Sequence, residues 1–392
     1  MARVRPLRNR IQNYPWGSRT GLARFLGRAA PSEEPEAELW MGAHPGAPSQ
    51  IEIDGRWVAL DEAIRRAPQE MLGPETAARY DSTLPFLFKV LAADRALSIQ
   101  AHPDRGQAVA GCRKEDARGI PRQAAGRSYR DPRHKPEILY AVEPFSILRG
   151  FRPPAEILEL MERLDLPRWL PEPCAALAAG DLKGFFTAYL AADPREVLRV
   201  VLPQIDAADD EDGPFAWVLE LARQCPGDRG VLAPLFLHLL ELQPGQAIFT
   251  GPGVLHAYLA GVGVELMANS DNVVRGGLTG KHVDVGELLA ILRFVPDPPR
   301  LLRSSERGGV RRFETVAEEL DLSVITVREK APREQSPHGV EILLCAGGEG
   351  RLEEAGEAAP LAFGQGDSFF VPAAVGGYRI AGHATLFRAG VP

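Results

Sequence analysis

The chain has 392 residues, of which 45% are hydrophobic and 25% are charged, and its formal net charge at pH 7 is −7. This length suits two or three domains, and the composition is typical of a soluble globular protein with a core of useful size. The negative charge argues against nucleic acid or an acidic membrane surface as the main partner. An anionic small molecule stays compatible with it, because local basic residues decide such binding.

The cysteines and the N-terminus indicate a cytoplasmic protein. The chain contains four widely separated cysteines and no C-x-x-C pair: Cys112, Cys174, Cys225 and Cys345. Neither a thiolate metal site nor a disulfide framework is therefore expected. The basic first ten residues are followed by IQNYPWGS, which is too polar for a secretory signal, and no apolar run is long enough to span a membrane.

The first 150 residues predict short strands joined by irregular connections. Gln50 to Asp54 and Arg56 to Val58, around an Asp-Gly turn, predict a hairpin. The strongest apolar runs, Leu84 to Ala92 and Ala96 to Ala101, predict buried barrel strands.

Helical spacing begins after the double proline at Pro153. Between the helices we expect a solvated acidic loop at Ala207 to Asp212. The predicted helices are Ile157 to Leu164, Asp181 to Ala192, Pro194 to Leu202 with Asp193 as N-cap, Pro214 to Arg223, and Val285 to Phe294.

Strand character returns at Gln246 to Thr250 and at Val262 to Ala268. Gly261 to Glu265 lacks the third glycine and the helix of a nucleotide-binding loop, so we interpret it as a turn between strands. Short strands with glycine-rich turns follow from about Leu301. The predicted division is a discontinuous β-rich domain (1–150 and 227–300), a helical insertion (151–226) and a C-terminal β-domain (301–392).

A weak internal repeat links the two β-rich parts. Residues 245–252 (GQAIFTGP) and 366–372 (GDSFFVP) share a glycine turn, an aromatic-bearing strand and a proline. The first copy continues to His256, whereas the second continues with alanines and a valine. If the two are related barrels, only the first has a residue that could bind a metal.

Three clusters contain side chains that could bind a ligand or take part in catalysis. Ser98, Gln100 and His102 alternate with apolar residues, so on a strand they share one face, which needs a metal, a polar ligand or water to satisfy it. Lys135 and Glu137 also lie two residues apart, although a lone pair of this kind is more often an ordinary surface ion pair.

The third cluster begins at His256, in an apolar setting where a histidine is more often a core residue than a ligand. It continues in the polar loop at 269–278, NSDNVVRGGL. The alternative interpretation of this loop is an ordinary solvated turn. Two imidazoles, an amide and a carboxylate suit zinc or another borderline divalent ion. The donors are Gln100, His102, Glu137 and His256, and their spacing alone does not prove that they converge.

Five stretches of the sequence resemble the type I mannose-6-phosphate isomerases, in the order of that family: 12–18 (QNYPWGS), 38–49 (ELWMGAHPGAPS), 84–104, 134–153 and 256–285. They cover most of the β-rich part up to about residue 290. The helical and C-terminal parts match that family in position and size more than in amino-acid sequence.

The resemblance implies a mainly β fold, with a catalytic cupin-like jelly-roll barrel, a helical insertion and a second cupin-like barrel. It implies interconversion of mannose 6-phosphate and fructose 6-phosphate with one zinc ion per chain, bound by the four donors above. The active-site arginine of the family falls on Arg275 and its lysine on Lys281, although Gly280 replaces a proline there and loosens the turn. Trp16 and His44 match pocket positions.

Such an isomerase moves a proton between C1 and C2 through an enediol. We expect Arg275 to be essential, with Lys135 as a second catalytic candidate. The base stays open among Lys135, Glu265, Asp271 and His44. The predicted substrate-binding residues are Trp16, His44, Ser98, Glu265, Asp271 and Lys281.

Other functions stay open from the sequence. A metal-dependent cupin oxygenase would favour two histidines and one carboxylate around iron. A sugar-phosphate sensor would bind without converting, and a purely structural β-domain would leave the alternating polar residues at 98–102 unexplained. We expect a sugar phosphate as the partner, neither nucleic acid nor membrane, and a monomer, with a weak homodimer as the alternative. Mannose breakdown and GDP-mannose supply are both open.

Overall fold

The computed structural model describes residues 3–207, 213–354 and 359–392, and it is mainly β with a substantial helical part. Most of the acidic stretch expected as a solvated loop, residues 208–212, lies outside these ranges. None of the helices in the described ranges is both long and apolar enough to cross a membrane.

The strands up to residue 300 are β1 (Arg5–Pro6), β2 (Arg10–Gln12), β3 (Glu38–Gly42), β4 (Gln50–Ile53), β5 (Arg56–Ala59), β6 (Phe86–Ala93), β7 (Ile99–Ala101), β8 (Glu137–Ala141), β9 (Phe145–Phe151), β10 (Leu237–Leu242), β11 (Ala247–Thr250), β12 (His256–Ala268) and β13 (Val274–Gly277). The later strands are β14 (Ser304–Arg307), β15 (Val310–Phe313), β16 (Asp321–Val327), β17 (Arg333–Gln335), β18 (Glu341–Glu354), β19 (Leu361–Gly364), β20 (Ser368–Val371) and β21 (Tyr378–Gly390).

The α-helices are α1 (Gly21–Phe25), α2 (Leu60–Arg66), α3 (Pro68–Leu72), α4 (Pro74–Arg79), α5 (Arg105–Ala117), α6 (Pro154–Glu162), α7 (Leu166–Trp169), α8 (Pro171–Ala178), α9 (Leu182–Ala191), α10 (Pro194–Ala207), α11 (Pro214–Gln224), α12 (Ala233–Phe236) and α13 (Val285–Ile291). A 3-10 turn at Arg229–Leu232 precedes α12.

Two antiparallel sheets organise the chain. The first sheet has the order β10-β9-β12-β6-β3-β2, with β7 and β8 also pairing with β12, β13 with β7 and β11 with β8. The second sheet has the order β1-β20-β18-β21-β16-β15-β14, with β17 on β21 and β19 on β18. The C-terminal strands therefore form their own sheet, which also takes up β1 from the opposite end of the chain.

Strand β12 is the centre of the first sheet because it changes partners along its length. Its first residues pair with β7 and β9, and its later residues pair with β6 and β8. The change occurs at Gly261, whose φ is +135° and where a Cβ would lie 2.7 Å from the carbonyl oxygen of Pro144. Only glycine fits such a position.

The turn expected at Gly261 to Glu265 is therefore wrong, since these residues lie inside β12. Their glycines reflect the bend of a continuous strand and the close approach of neighbouring backbone. The hairpin predicted at residues 50–58 is confirmed as β4 and β5, with positive φ at Asp54 and Gly55.

The helices predicted after residue 150 are all present, with α10 continuing past Leu202 to Ala207. Helix α6 ends at Glu162 and α13 at Ile291, two and three residues before the predicted ends at Leu164 and Phe294. Asp181 caps α9 by accepting a hydrogen bond from the Gly184 N–H, and Asp193 accepts one from the N–H of Arg195. Helices α6 to α11 pack on the first sheet through one continuous apolar cluster.

The first 150 residues contain helices that the prediction of strands and irregular connections missed, so that expectation is wrong for α1 to α5. The longest, α5, begins at a capping box in which Asp104 and Gln107 bond to each other's backbone N–H groups. Its residues RGQAVAGCRKEDA contain few large apolar side chains, so the helical period is weak in the sequence.

The two sheets share a second apolar cluster, which contains Phe88 and Ile138 of the first sheet and Leu322 and Phe370 of the second. The ring of Tyr140 on β8 packs edge-on against Phe313 and Phe387, at centroid distances of 5.6 and 4.9 Å. Strand β8 therefore lies between the interior of the first sheet and the C-terminal region.

Candidate metal centre and adjoining pocket

Three predicted metal ligands meet in the first sheet. Glu137 opens β8, His256 opens β12, and His102 directly follows β7. Their side chains are 0 to 1% exposed, and their ligand atoms all lie within 4.8 Å of one another. Residues from three separate stretches of sequence thus converge at a buried position.

Hydrogen bonds fix the state of both imidazoles. Nδ1 of His102 lies 2.7 Å from the carbonyl oxygen of Asn272, and Nδ1 of His256 lies 3.0 Å from that of Val254. A carbonyl only accepts, so each Nδ1 carries the hydrogen and each Nε2 presents a lone pair.

Those lone pairs point at a carboxylate. Each Nε2 lies 3.2 Å from an oxygen of Glu137, and neither has a hydrogen-bond partner. Lone pairs facing an anion in a buried site are unfavourable unless a cation lies between them. Ligand atoms at about 2.0 to 2.1 Å from a tetrahedral zinc ion would be roughly 3.3 Å apart, so these residues fit such an ion.

The ionisation states agree with a metal centre. Burial and the charge of Lys135 lower the pKa of His102 to about 4, so the imidazole is neutral at pH 7. Burial acts to raise the pKa of Glu137, but the charge of Lys135 beside it opposes this, and the pKa lies well below its ordinary value. Nζ of Lys135 contacts Oε1 of Glu137, and both side chains are buried, so this is not a surface ion pair.

Gln100 stands beside the cluster in the strand register. It lies opposite His256 on β12 and opposite Arg275 on β13, so the three residues form a row across neighbouring strands. Side chains of residues paired in this way extend to the same face of a sheet.

A pocket of about 510 Å³ opens over this face. Every predicted catalytic and substrate-binding residue lines it: Trp16, His44, Ser98, Lys135, Glu265, Asp271, Arg275 and Lys281. Of the predicted metal ligands, Gln100 and Glu137 also line it. The end of the helical part contributes Gln224 and Cys225 to one wall.

A second polar row crosses β3, β6 and β12, where Trp40, Lys89 and Glu265 are register neighbours. Nζ of Lys89 lies 3.0 Å from Oε2 of Glu265 and 3.4 Å from Oε1 of Glu38. Burial works against the lysine charge, but Glu265 and Glu38 outweigh it and raise the pKa of Lys89. Burial raises the pKa of Glu265 against the opposing charge of Lys89.

His44 and Asp271 form the opposite side of the pocket. Nδ1 of His44 accepts the N–H of Gly46, so its Nε2 carries the hydrogen and faces Oδ1 of Asp271 at 3.3 Å. This hydrogen bond lowers the pKa of Asp271, which is partly exposed to the pocket. The ring of His44 rests edge-on against Trp40, with centroids 4.8 Å apart.

Three basic residues lie close to one another at the pocket. In the described ranges, none of Arg130, Arg275 and Lys281 forms an ion pair. Burial lowers the pKa of Arg275, and the charge of Arg130 lowers it further. Burial and the charges of Arg275 and Arg130 lower the pKa of Lys281. Three cations that repel one another without a carboxylate partner favour a bound anion.

The chain near Arg130 is tied to the polar loop at 269–278. The backbone N–H of Arg130 donates to Oδ1 of Asn272 at 2.7 Å, and the N–H of Asp271 donates to Oδ2 of Asp131 at 2.8 Å. The two segments therefore hold each other in place at one side of the pocket.

Sequence reasoning missed Lys89, Glu38, Tyr258 and Arg130. A signal existed for Lys89, since it is the single charge inside the apolar run LPFLFKVLA, and a lone charge in a buried strand needs partners. The hydroxyl of Tyr258 donates to Oε2 of Glu137 at 3.4 Å, a contact that depends on the strand register.

Comparisons with known proteins point to one family. The family model described as phosphomannose isomerase type I, catalytic domain, matches residues 4–154. The chain is 36% identical to the mannose-6-phosphate isomerase of Salmonella typhimurium over 98% of this chain and 99% of that protein. It is also 36% identical to the enzyme of Escherichia coli, with the same coverage.

Solved structures are similar over the whole length. A mutant of phosphomannose isomerase from Salmonella typhimurium superimposes with a TM-score of 0.92 at 34% identity, covering 99% of both chains. A mannose 6-phosphate isomerase described as holo and zinc-bound gives a TM-score of 0.90 at 35% identity, also covering 99% of both. The chain therefore belongs to the type I mannose-6-phosphate isomerase family.

Proposed function

We propose that the protein interconverts mannose 6-phosphate and fructose 6-phosphate and that it uses one zinc ion. The observation that carries this proposal is the pair of imidazole lone pairs facing Glu137 at 3.2 Å beneath a polar pocket. The zinc-bound state of a similar solved structure supports the same metal here. The oxygenase and sensor alternatives have no comparable support.

The proposed zinc ligands are His102, Glu137, His256 and Gln100. The first three form the buried cluster, and Gln100 is next to His256 in the strand register. Bound zinc would act as a Lewis acid toward sugar oxygens. A neutral amide ligand leaves more positive charge on the ion than a second carboxylate would.

The proposed phosphate site is the group of cations at the pocket mouth. Arg275 and Lys281 line the pocket, and Arg130 lies close enough for its charge to lower the pKa of both. A phosphate dianion would relieve this repulsion, and a guanidinium offers it paired donors in a fixed geometry. Phosphate bound there would leave the C1 end of the sugar free to approach the ligand cluster.

Proton transfer between C1 and C2 is assigned to two of the carboxylates that line the pocket, Glu265 and Asp271. Burial raises the pKa of Glu265, which favours a base, and Lys89 beside it offers a positive charge to an enediolate oxygen. Asp271 is held ionised by His44. Lys135, in contact with Glu137, would act at the metal end of the pocket.

We also infer that the two sheets are two cupin-like jelly rolls, with residues 151–226 as a helical insertion in the first. All pairings between the described strands are antiparallel, and the C-terminal strands have their own order around β18 and β21. The pairing of β1 with β20 indicates that the first few residues belong with the C-terminal unit.

The direct test is a coupled assay for fructose 6-phosphate formation from mannose 6-phosphate, together with elemental analysis of the purified protein. We expect one zinc per chain, loss of at least about 99% of activity after chelation, and recovery on zinc addition. Binding of mannose 6-phosphate without turnover by the zinc-loaded protein would refute the isomerase and favour the sensor.

The electrostatic role of Arg275 has its own test. Arg275→Ala should lower kcat/KM by about 10² to 10³-fold, because removing one partner of a partly buried, hydrogen-bonded charge pair with the phosphate costs roughly 2 to 5 kcal/mol. The control is Arg307→Ala, an exposed arginine on the β14–β15 hairpin, which should leave kcat/KM unchanged. Near-normal turnover of Arg275→Ala would remove the arginine from the mechanism.

A further inference from the structure

One short segment of the C-terminal region contacts the part of the chain that leads to the proposed metal ligand Glu137. Glu318 and Glu319 precede β16 and contact residues from the first 150 of the chain. Glu319 contacts Nε2 of His134 through its Oε1, and His134 directly precedes Lys135. Glu318 pairs near the surface with Arg79 and, at 3.3 Å, with Arg105, whose guanidinium also lies 3.9 Å from Oε2 of Glu319.

The two adjacent glutamates differ in environment. Glu319 is only 2% exposed, whereas the side chain of Glu318 is 53% exposed. Burying a carboxylate is costly unless a partner compensates for the lost water. Burial acts to raise the pKa of Glu319, yet its hydrogen bond with His134 outweighs this and lowers the pKa. The contact with His134 is therefore the main compensation for a buried charge.

Strand β8, which follows His134, is also in contact with the C-terminal region. Glu137 opens β8, and three residues later Tyr140 packs against Phe313 and Phe387 of the C-terminal region. Ile138, between them, belongs to the apolar cluster shared by both sheets. In the segment from 134 to 140, Lys135 and Glu137 thus line the pocket, whereas Ile138 and Tyr140 pack toward the C-terminal region.

We propose that Glu319 is a positioning residue for the metal centre: by binding His134 it fixes the chain that presents Lys135 and Glu137. The C-terminal region, which contributes no residue to the ligand cluster, would thereby contribute to metal retention. This inference rests on the zinc site proposed above.

The test measures the rate at which full-length, zinc-loaded protein loses zinc to excess chelator. The variants are Glu319→Ala, Glu319→Gln and His134→Ala, with Glu318→Ala as the matched control on the same segment. Glutamine at 319 retains an oxygen that accepts a hydrogen bond from His134. Thermal unfolding of each metal-free variant reports the general loss of stability separately.

We expect Glu319→Ala and His134→Ala to lose zinc about tenfold faster than the unmodified protein, the lower end of the effect of removing outer partners of a metal ligand. Glu319→Gln should restore most of the retention, and the Glu319→Ala/His134→Ala double variant should be no faster than either single one. Glu318→Ala should lose zinc at the unmodified rate even if its melting temperature falls.

Equal zinc loss in the unmodified protein and His134→Ala would overturn the inference, as would equal acceleration in Glu318→Ala and Glu319→Ala. If Glu319→Ala does not fold, His134→Ala and Glu319→Gln decide by the same criteria. An unmodified protein that binds no zinc would instead refute the zinc site itself, and this inference with it.

Discussion

Two buried carboxylates occupy matching places in the two sheets. Glu137 lies in His134-Lys-Pro-Glu-Ile-Leu and Glu341 in His338-Gly-Val-Glu-Ile-Leu. Glu137 pairs with Thr250, the last residue of β11, and Glu341 pairs with Val371, the last residue of β20. The strands β11 and β20 both follow a glycine of positive φ in the short repeat found in the sequence.

Their surroundings differ completely. Glu137 faces two imidazoles and Lys135, and the charge of Lys135 acts against burial, so that the pKa of Glu137 lies below the ordinary value. Glu341 accepts the hydroxyl of Tyr378 at 2.7 Å and lies 3.6 Å from Arg388, and burial raises its pKa. Within the described ranges, only the first site forms a group of histidine and carboxylate ligands suited to a metal. Both sheets thus contain a buried carboxylate, and His102 and His256 beside Glu137 are what distinguish the proposed metal site from its counterpart at Glu341.

The largest expected effect separates these two carboxylates. Glu137→Gln should lower kcat/KM at least about 10³-fold and abolish stoichiometric zinc binding, because a metal ligand and several kcal/mol of catalysis are lost together. Glu341→Gln should leave both zinc content and kcat/KM within about twofold. Elemental analysis and the coupled assay measure both. Loss of zinc in Glu341→Gln would break the comparison.

A smaller effect should be equal in the two sheets. Gly261 and Gly382 have φ of +135° and +132°, and a Cβ would lie 2.7 Å from the Pro144 oxygen or 2.5 Å from the Glu349 oxygen. Each glycine to alanine change should cost about 2 to 3 kcal/mol of unfolding free energy, from backbone strain and the clash.

Urea unfolding of the two alanine variants measures this cost. Gly339→Ala is the control, since its φ is ordinary and a Cβ there meets nothing within 4 Å. A substitution at 261 or 382 that unfolds at the control's urea concentration would show that the bend does not need glycine.

The smallest effect concerns the pH dependence of stability. Because the pKa of Glu341 is raised in the folded protein, its stability contribution is present below the ordinary value of 4.5 and is lost as pH rises through the folded value. Glu341→Gln does not titrate, so its melting temperature should rise relative to the unmodified protein as pH increases, by roughly 2 °C.

Melting curves between about pH 4 and about pH 8 measure this difference. Glu349→Gln, an exposed carboxylate of the same strand, should follow the unmodified protein throughout. A difference for Glu341→Gln that shrinks with rising pH would mean that the carboxylate is held ionised, as Glu137 is.

Local signals predicted much of the architecture. Prolines at helix starts and apolar spacing predicted α6, α9, α10 and α11, because these helices bury one face and begin at prolines or caps. Helix α5 was missed because its capping box, not an apolar stripe, defines it. The bend at Gly261 was mistaken for a turn, since sequence does not reveal that a strand continues through a glycine.

The site was predictable as a set of residues but not as an arrangement. Motif resemblance supplied Gln100, His102, Glu137 and His256, of which three converge in the structure and the fourth is their register neighbour. The roles of Lys89 and Glu319 depend on strand pairing and on contacts between distant parts of the chain. Such contacts are set by the assembled fold, and no local pattern encodes them.

The pairing of β1 with β20 has a consequence for how the protein is made. Arg5 lies opposite Phe370, and the N–H of Leu7 donates to the Ser368 carbonyl at 2.9 Å. During synthesis, β1 leaves the ribosome long before β20 and must wait for it before this pair can form. Until then β20 has an open edge, and neighbouring nascent chains could pair with it. Rapid closure by β1 would protect the newly made protein from aggregation.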